Sequence, residues 1–163
     1  MRTYQATQSF SPKIKWLFTI FLSSIVLITL LANAVDDTEN TEWIPLIFSV
    51  VMAMAALSII WITKLHLEIS EEKISYQLTP FEWKTKYIST SDIDQMVLKK
   101  QKWLSYGGLG KRRRIFKKKL AYIMNKNYAL EIILKNKTII TFSVDHENQL
   151  RSFLKANFTH LLK

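Results

Sequence analysis

Two uncharged apolar runs, residues 16–34 and 43–63, constrain this chain more than anything else in it. At ~1.5 Å of helical rise per residue, about 19 residues reach roughly 28 Å, close to a bilayer's hydrocarbon core, and about 21 residues reach slightly further. Two such runs separated only by 35–42 (V-D-D-T-E-N-T-E) predict a hairpin of membrane-spanning helices. Pro45 falls in the first turn of the second run, where its missing amide donor matters least. Trp16, Trp43 and Trp61 fall near the expected interfaces, which favour amphipathic indoles. Ser49, Ala53 and Ala56, with Thr19 and Ser23 opposite, supply small-residue stripes that let helix backbones approach closely.

Charge orients the pair. By count, residues 1–34 carry about +3, residues 35–42 about −4 and residues 64–163 about +11 of the net +10. Basic flanks around an acidic loop place both termini in the cytoplasm and the loop outside. The expected layout is a cytoplasmic tail (1–12), a two-helix transmembrane hairpin (13–64) and a cytoplasmic domain (65–163), in a multi-pass protein of the cytoplasmic membrane. Ala32-Asn33-Ala34 has the small-x-small form of a signal-peptidase site, and whether it is cleaved stays open. The apolar run before it is longer than a usual signal h-region.

After residue 64 the pattern changes to alternation, the signature of half-buried strands. Leu65, Leu67 and Ile69 alternate with polar residues, as do Ile74, Tyr76 and Leu78, with a turn at 70–72 between them. Pro80 interrupts the pattern, and 83–88 resumes it. Residues 95–103, 120–124, 128–135 and 138–143 read as further strands. The links 125–127 and 136–137 are rich in Asn, which tolerates turn geometry. Asp145 is placed to cap a final helix, in which Leu150, Phe153, Leu154 and Phe158 recur at helical spacing. About seven strands and one C-terminal helix result. Trp83, Trp103, Tyr106 and Tyr122 are expected in the core and rim.

All three glycines lie in one segment, at Gly107, Gly108 and Gly110, after Tyr106. Glycine concentrated this way marks a sharply turned structural loop. Seven cations follow in the nine positions 111–119: Lys111, Arg112, Arg113, Arg114, Lys117, Lys118 and Lys119, interleaved with Ile115 and Phe116. No acidic residue occurs between Asp94 and Glu131.

The run Tyr106-Gly107-Gly108-Leu109-Gly110, its arginines, Ala121-Tyr122-Ile123, the strand at 128–135 and the helix start at 142–150 resemble bacterial pleckstrin-homology (PH)-like domain membrane proteins. The resemblance covers residues 64–163. The chain departs from the pattern in lacking a proline and one acid at the helix start, and at the first arginine position, which falls on Lys111 or Arg112. A PH-like barrel of about seven strands, capped by a helix and carried on a two-span anchor, is what the resemblance implies.

The sequence offers no catalytic, cofactor or metal residues. Without cysteine, disulfides and thiolate metal sites are excluded. His66, His146 and His160 have no ligand-spaced partners. The glycine segment fails the phosphate-loop spacing at Ser105 and the dinucleotide spacing at Arg113. The aromatic spacing lacks a stacking platform for nucleic acid. A non-enzymatic role is therefore expected, in recognition of anionic lipid headgroups or an acidic membrane-protein partner. The candidate contacts are Lys111, Arg112, Arg113, Arg114, Phe116, Lys117, Lys118 and Lys119. The alternative is a structural or regulatory subunit of a membrane complex, whose basic loop serves only topology.

Overall fold

The computed structural model describes residues 3–35, 43–100, 108–114, 118–124 and 126–162. The chain divides into two units, residues 10–63 and residues 1–9 together with 64–163.

The first unit is two helices, α1 (Pro12–Val35) and α2 (Trp43–Ile62). Both are long and apolar enough to cross a membrane. Their facing stripes are the partly covered Lys15, Thr19, Leu22, Val26, Thr29 and Asn33 of α1 and, on α2, buried Leu46 with the partly covered Ser49, Val50, Ala53, Ala56, Leu57 and Ile60. Ser49, Ala53, Ala56 and Thr19 thus sit in the seam, whereas Ser23 is exposed. Trp16 and Trp61 meet edge to face at 6.3 Å between centroids. Lys15 lies 5.1 Å from the Trp61 ring centroid. Leu17, Ile20, Phe21, Ile44, Ile47 and Phe48 point away from the seam and are exposed.

The second unit is mostly β. A four-stranded antiparallel sheet has the order β1 (Tyr4–Ser9), β2 (Lys64–Ile69), β3 (Lys73–Thr79), β4 (Lys86–Ser89). A five-stranded sheet has the order β5 (Ile93–Lys100), β8 (Tyr128–Leu134), β9 (Ile139–Val144), β7 (Lys119–Ile123), β6 (Gly110–Arg114). Leu65, Leu67, Ile69, Ile74, Tyr76 and Leu78 of the first sheet are buried with Tyr122, Leu130, Ile132, Ile140 and Phe142 of the second. Tyr76 brings the sheets together at its ring, 5.2 Å from Tyr122 and 4.9 Å from Phe142. The helix α3 (Glu147–Asn157) adds buried Leu150 and Leu154, and Phe158 follows it into the core.

Five sequence expectations need correction. The described residues form two sheets and no closed barrel. The N-terminal stretch is not an aperiodic tail: residues 4–9 form edge strand β1 against β2, from Tyr4↔Ile69 to Ser9↔Lys64. The helical pair is therefore inserted between two neighbouring strands, and buried Gln8 of β1 donates from Nε2 to the Ser143 carbonyl of β9 at 2.6 Å. The basic residues 110–114 are a strand, not a loop, paired with β7. The strands expected to be joined by the turn 125–127 are not neighbours, since β9 lies between β7 and β8 and runs parallel to β7. Finally, Asp145 does not cap α3; His146 holds that position without a side-chain bond, and Asp145 pairs with Lys126 at 2.6 Å.

Candidate anion-binding cleft

The two sheets leave a gap between edge strand β4 of one and edge strand β6 with its neighbour β7 of the other, and that gap is basic. A cleft of about 460 Å³ is lined by Lys86 of β4, Lys111 and Arg113 of β6, Lys118, Lys119 and Leu120 entering β7, and Asn136 and Thr138 of the β8–β9 turn. Strand alternation brings Lys111 and Arg113 onto one face of β6. They sit opposite Tyr122 and Leu120 of β7.

Beneath the cleft is Glu82, a carboxylate only 8% exposed. Its Oε1 accepts Lys86 Nζ at 2.6 Å, Lys111 Nζ at 2.7 Å and the Tyr122 hydroxyl at 3.0 Å. Burial alone pushes the Glu82 carboxyl up, but hydrogen bonds from Lys111, Lys86 and Tyr122 outweigh it and hold the group below the ordinary carboxylate range. Burial, aided by the neighbouring Tyr76 and Glu82, drives the Tyr122 hydroxyl far above its usual range, so it remains a donor. Glu82 thereby ties lysines from both sheets to one oxygen.

Glu131 plays a similar part farther along, paired with Lys99 and lying 3.9 Å from Lys119. Arg113 and Lys118 have no carboxylate partner among the described residues. Five cations thus line the cleft, of which Lys86 and Lys111 pair with Glu82 and Lys119 lies near Glu131. A group with several anionic oxygens would meet an excess of donors there, with the Asn136 amide and Thr138 hydroxyl beside them. Lys118 adopts a left-handed backbone at φ 44°, a strained setting for a residue with a Cβ.

The structure gathers Lys111, Arg113, Lys118 and Lys119 from the predicted contact set. Arg112 lies on the other face of β6 and is exposed; its Nη2 stands 2.9 Å from where a Gly108 side chain would begin. For Arg114 the structure describes the β6 backbone alone. Phe116, Lys117, Tyr106 and Gly107 lie outside the described residues, as does Trp103. Gly108 and Gly110 have φ 115° and 81°, conformations that disfavour any side chain. Glu82 and Lys86 were not legible as site residues, because their role depends on Lys111 reaching across 29 positions of sequence. Trp83, expected in the core or rim, is instead 93% exposed.

No protein-family model matches this chain, and no curated protein or solved structure is detectably similar to it.

Proposed function

We propose that this chain is a non-enzymatic, two-span protein of the cytoplasmic membrane whose cytoplasmic β domain recognises anionic lipid headgroups in the cleft between its sheets. The observation that carries this reading is the cleft's unbalanced charge, above all Arg113 and Lys118, which have no carboxylate partner among the described residues. Support for the membrane comes from two helices that are each long and apolar enough to cross it. The Ser9↔Lys64 pairing adds to it, since both ends of the helical insertion leave from one end of one strand pair. That arrangement suits a hairpin entering and leaving from the same side. The resemblance of residues 64–163 to PH-like domains of bacterial membrane proteins accords with a recognition role.

The reading is tested by titrating the full chain, in uncharged detergent, with short-chain phosphatidylglycerol and phosphatidylcholine at rising salt. Preference for the anionic lipid that fades as salt screens charges over ~8 Å at physiological ionic strength is expected. Equal binding of both lipids would contradict headgroup recognition and leave the docking-subunit role.

A further inference from the structure

The loop between β3 and β4 inverts the usual partition of side chains. Phe81 is 57% exposed and Trp83 93%, while Glu82 between them is 8% exposed. Large aromatics are normally covered and carboxylates solvated. The inversion is held in place by specific bonds. The Glu82 amide donates to Leu78 O at 2.7 Å. Gln77 Nε2 donates to the carbonyls of Glu82 at 2.9 Å and Trp83 at 3.3 Å. The Glu82 carboxylate is fixed by Lys86, Lys111 and Tyr122. The two rings are therefore displayed by a pinned loop.

The loop leaves one particular end of the sheet. Thr79, the last residue of β3, pairs with Lys64, and its hydroxyl donates to the Lys64 carbonyl at 3.2 Å. Lys64 opens β2 just after α2 ends at Ile62. Lys64 also pairs with Ser9, from which the chain runs on to α1 at Pro12. Phe81 and Trp83 thus follow directly from the sheet end joined to both apolar helices. The opposite end of the same strands, the turn after Ile69, carries Glu71 and Glu72. Lys84 and Lys86 accompany the aromatic loop.

We propose that Phe81 and Trp83 form an interfacial anchor, inserting their rings at the headgroup–acyl boundary of the bilayer that holds α1 and α2. Indole suits this boundary because it is apolar in body and polar at one edge. Lysines beside the rings complement anionic headgroups. The anchor rests on the reading that the helices cross a bilayer, but not on any headgroup selectivity of the cleft. Because Glu82 belongs to both loop and cleft, insertion of the rings would hold Lys86 and Lys111 at headgroup level.

The cysteine-free chain permits a direct test. Nitroxide labels are attached to Phe81→Cys, Trp83→Cys and, as control at the far turn, Glu72→Cys. The full chain is reconstituted into phosphatidylcholine vesicles with and without phosphatidylglycerol, with a water-soluble nickel chelate present during reconstitution. Labels at 81 and 83 are expected to collide several-fold less with the chelate, and more with oxygen, than the label at 72, in both lipid compositions. Chelate access at 81 and 83 equal to that at 72 overturns the anchor, even if the chain still prefers anionic lipid in detergent. Shielding at 81 and 83 in a chain that shows no such preference supports the anchor while the headgroup reading fails.

Discussion

Tyr122 donates its hydroxyl hydrogen to Glu82 Oε1 across 3.0 Å, joining the buried core of one sheet to the loop that leaves the other. The same oxygen receives Lys86 and Lys111, so one carboxylate spans the gap in which the cations gather.

This network has a pH signature. The native Glu82 carboxyl titrates below its ordinary value of 4.5, so in acid the unfolded chain binds more protons than the native one. Stability from Glu82 is therefore complete above the ordinary value and is lost as pH falls through the depressed native one. Urea unfolding of Glu82→Gln should show a flatter acid limb than wild type. Glu82→Ala, which also removes the carboxylate acceptor of the buried Tyr122 hydroxyl, should lower stability by about 1–3 kcal/mol at neutral pH. Identical acid limbs for wild type and Glu82→Gln would refute the assignment.

Backbone geometry at the cleft predicts opposite effects at two positions. Gly110 has φ 81° and open space around it, so Gly110→Ala should destabilise by about 1–2 kcal/mol through conformation alone. Lys118, at φ 44°, sits where Asn is better tolerated. Lys118→Asn should match or exceed wild-type thermal stability while weakening binding of anionic lipid. A clear fall in melting temperature for Lys118→Asn would remove the evidence for strain there.

The N-terminal strand makes the third prediction. Tyr4 is buried, its ring 6.0 Å from that of Phe153, and Gln8 bonds to β9. Tyr4→Ala should destabilise the β unit by about 3 kcal/mol, the low end for removing a large buried aromatic. Joining Ser9 to Lys64 through a two-residue Asn-Gly turn should give a soluble folded domain, because those residues already pair as a hairpin would. A fragment starting at Lys64 should be less stable than this joined form. Equal stability of the two would deny β1 its place.

The apolar helices, strands β2 and β3 and the buried face of α3 were legible because local periodicity and length decide them. Edge strand β1 was not, since Gln8 is buried only by virtue of Ser143, 135 residues away. Strand β6 hid behind its own composition, because consecutive cations read as a solvated loop until β7 is seen beside them. The placement of β9 between β7 and β8 depends on long-range pairing that a short Asn-containing link does not encode. Half of the cleft was readable as a charge run, while Lys86 and the organising Glu82 came only from the fold.

Topology offers a fourth prediction. A reporter fused after Lys163 should be active only in the cytoplasm, and a tag inserted between Asp37 and Thr38 accessible only from outside. A C-terminus reached from the outer face would invalidate the orientation.

The most direct measurement is the affinity of the full chain for short-chain phosphatidylglycerol in uncharged detergent, compared between wild type and Arg113→Gln/Lys118→Gln. These two line the cleft without a carboxylate partner among the described residues, so the folded network around Glu82 stays intact. At about 1 kcal/mol per cation, the double variant should bind roughly thirtyfold more weakly, with unchanged melting temperature and unchanged affinity for phosphatidylcholine. Equal phosphatidylglycerol affinity in the two proteins would contradict recognition of anionic headgroups by the cleft.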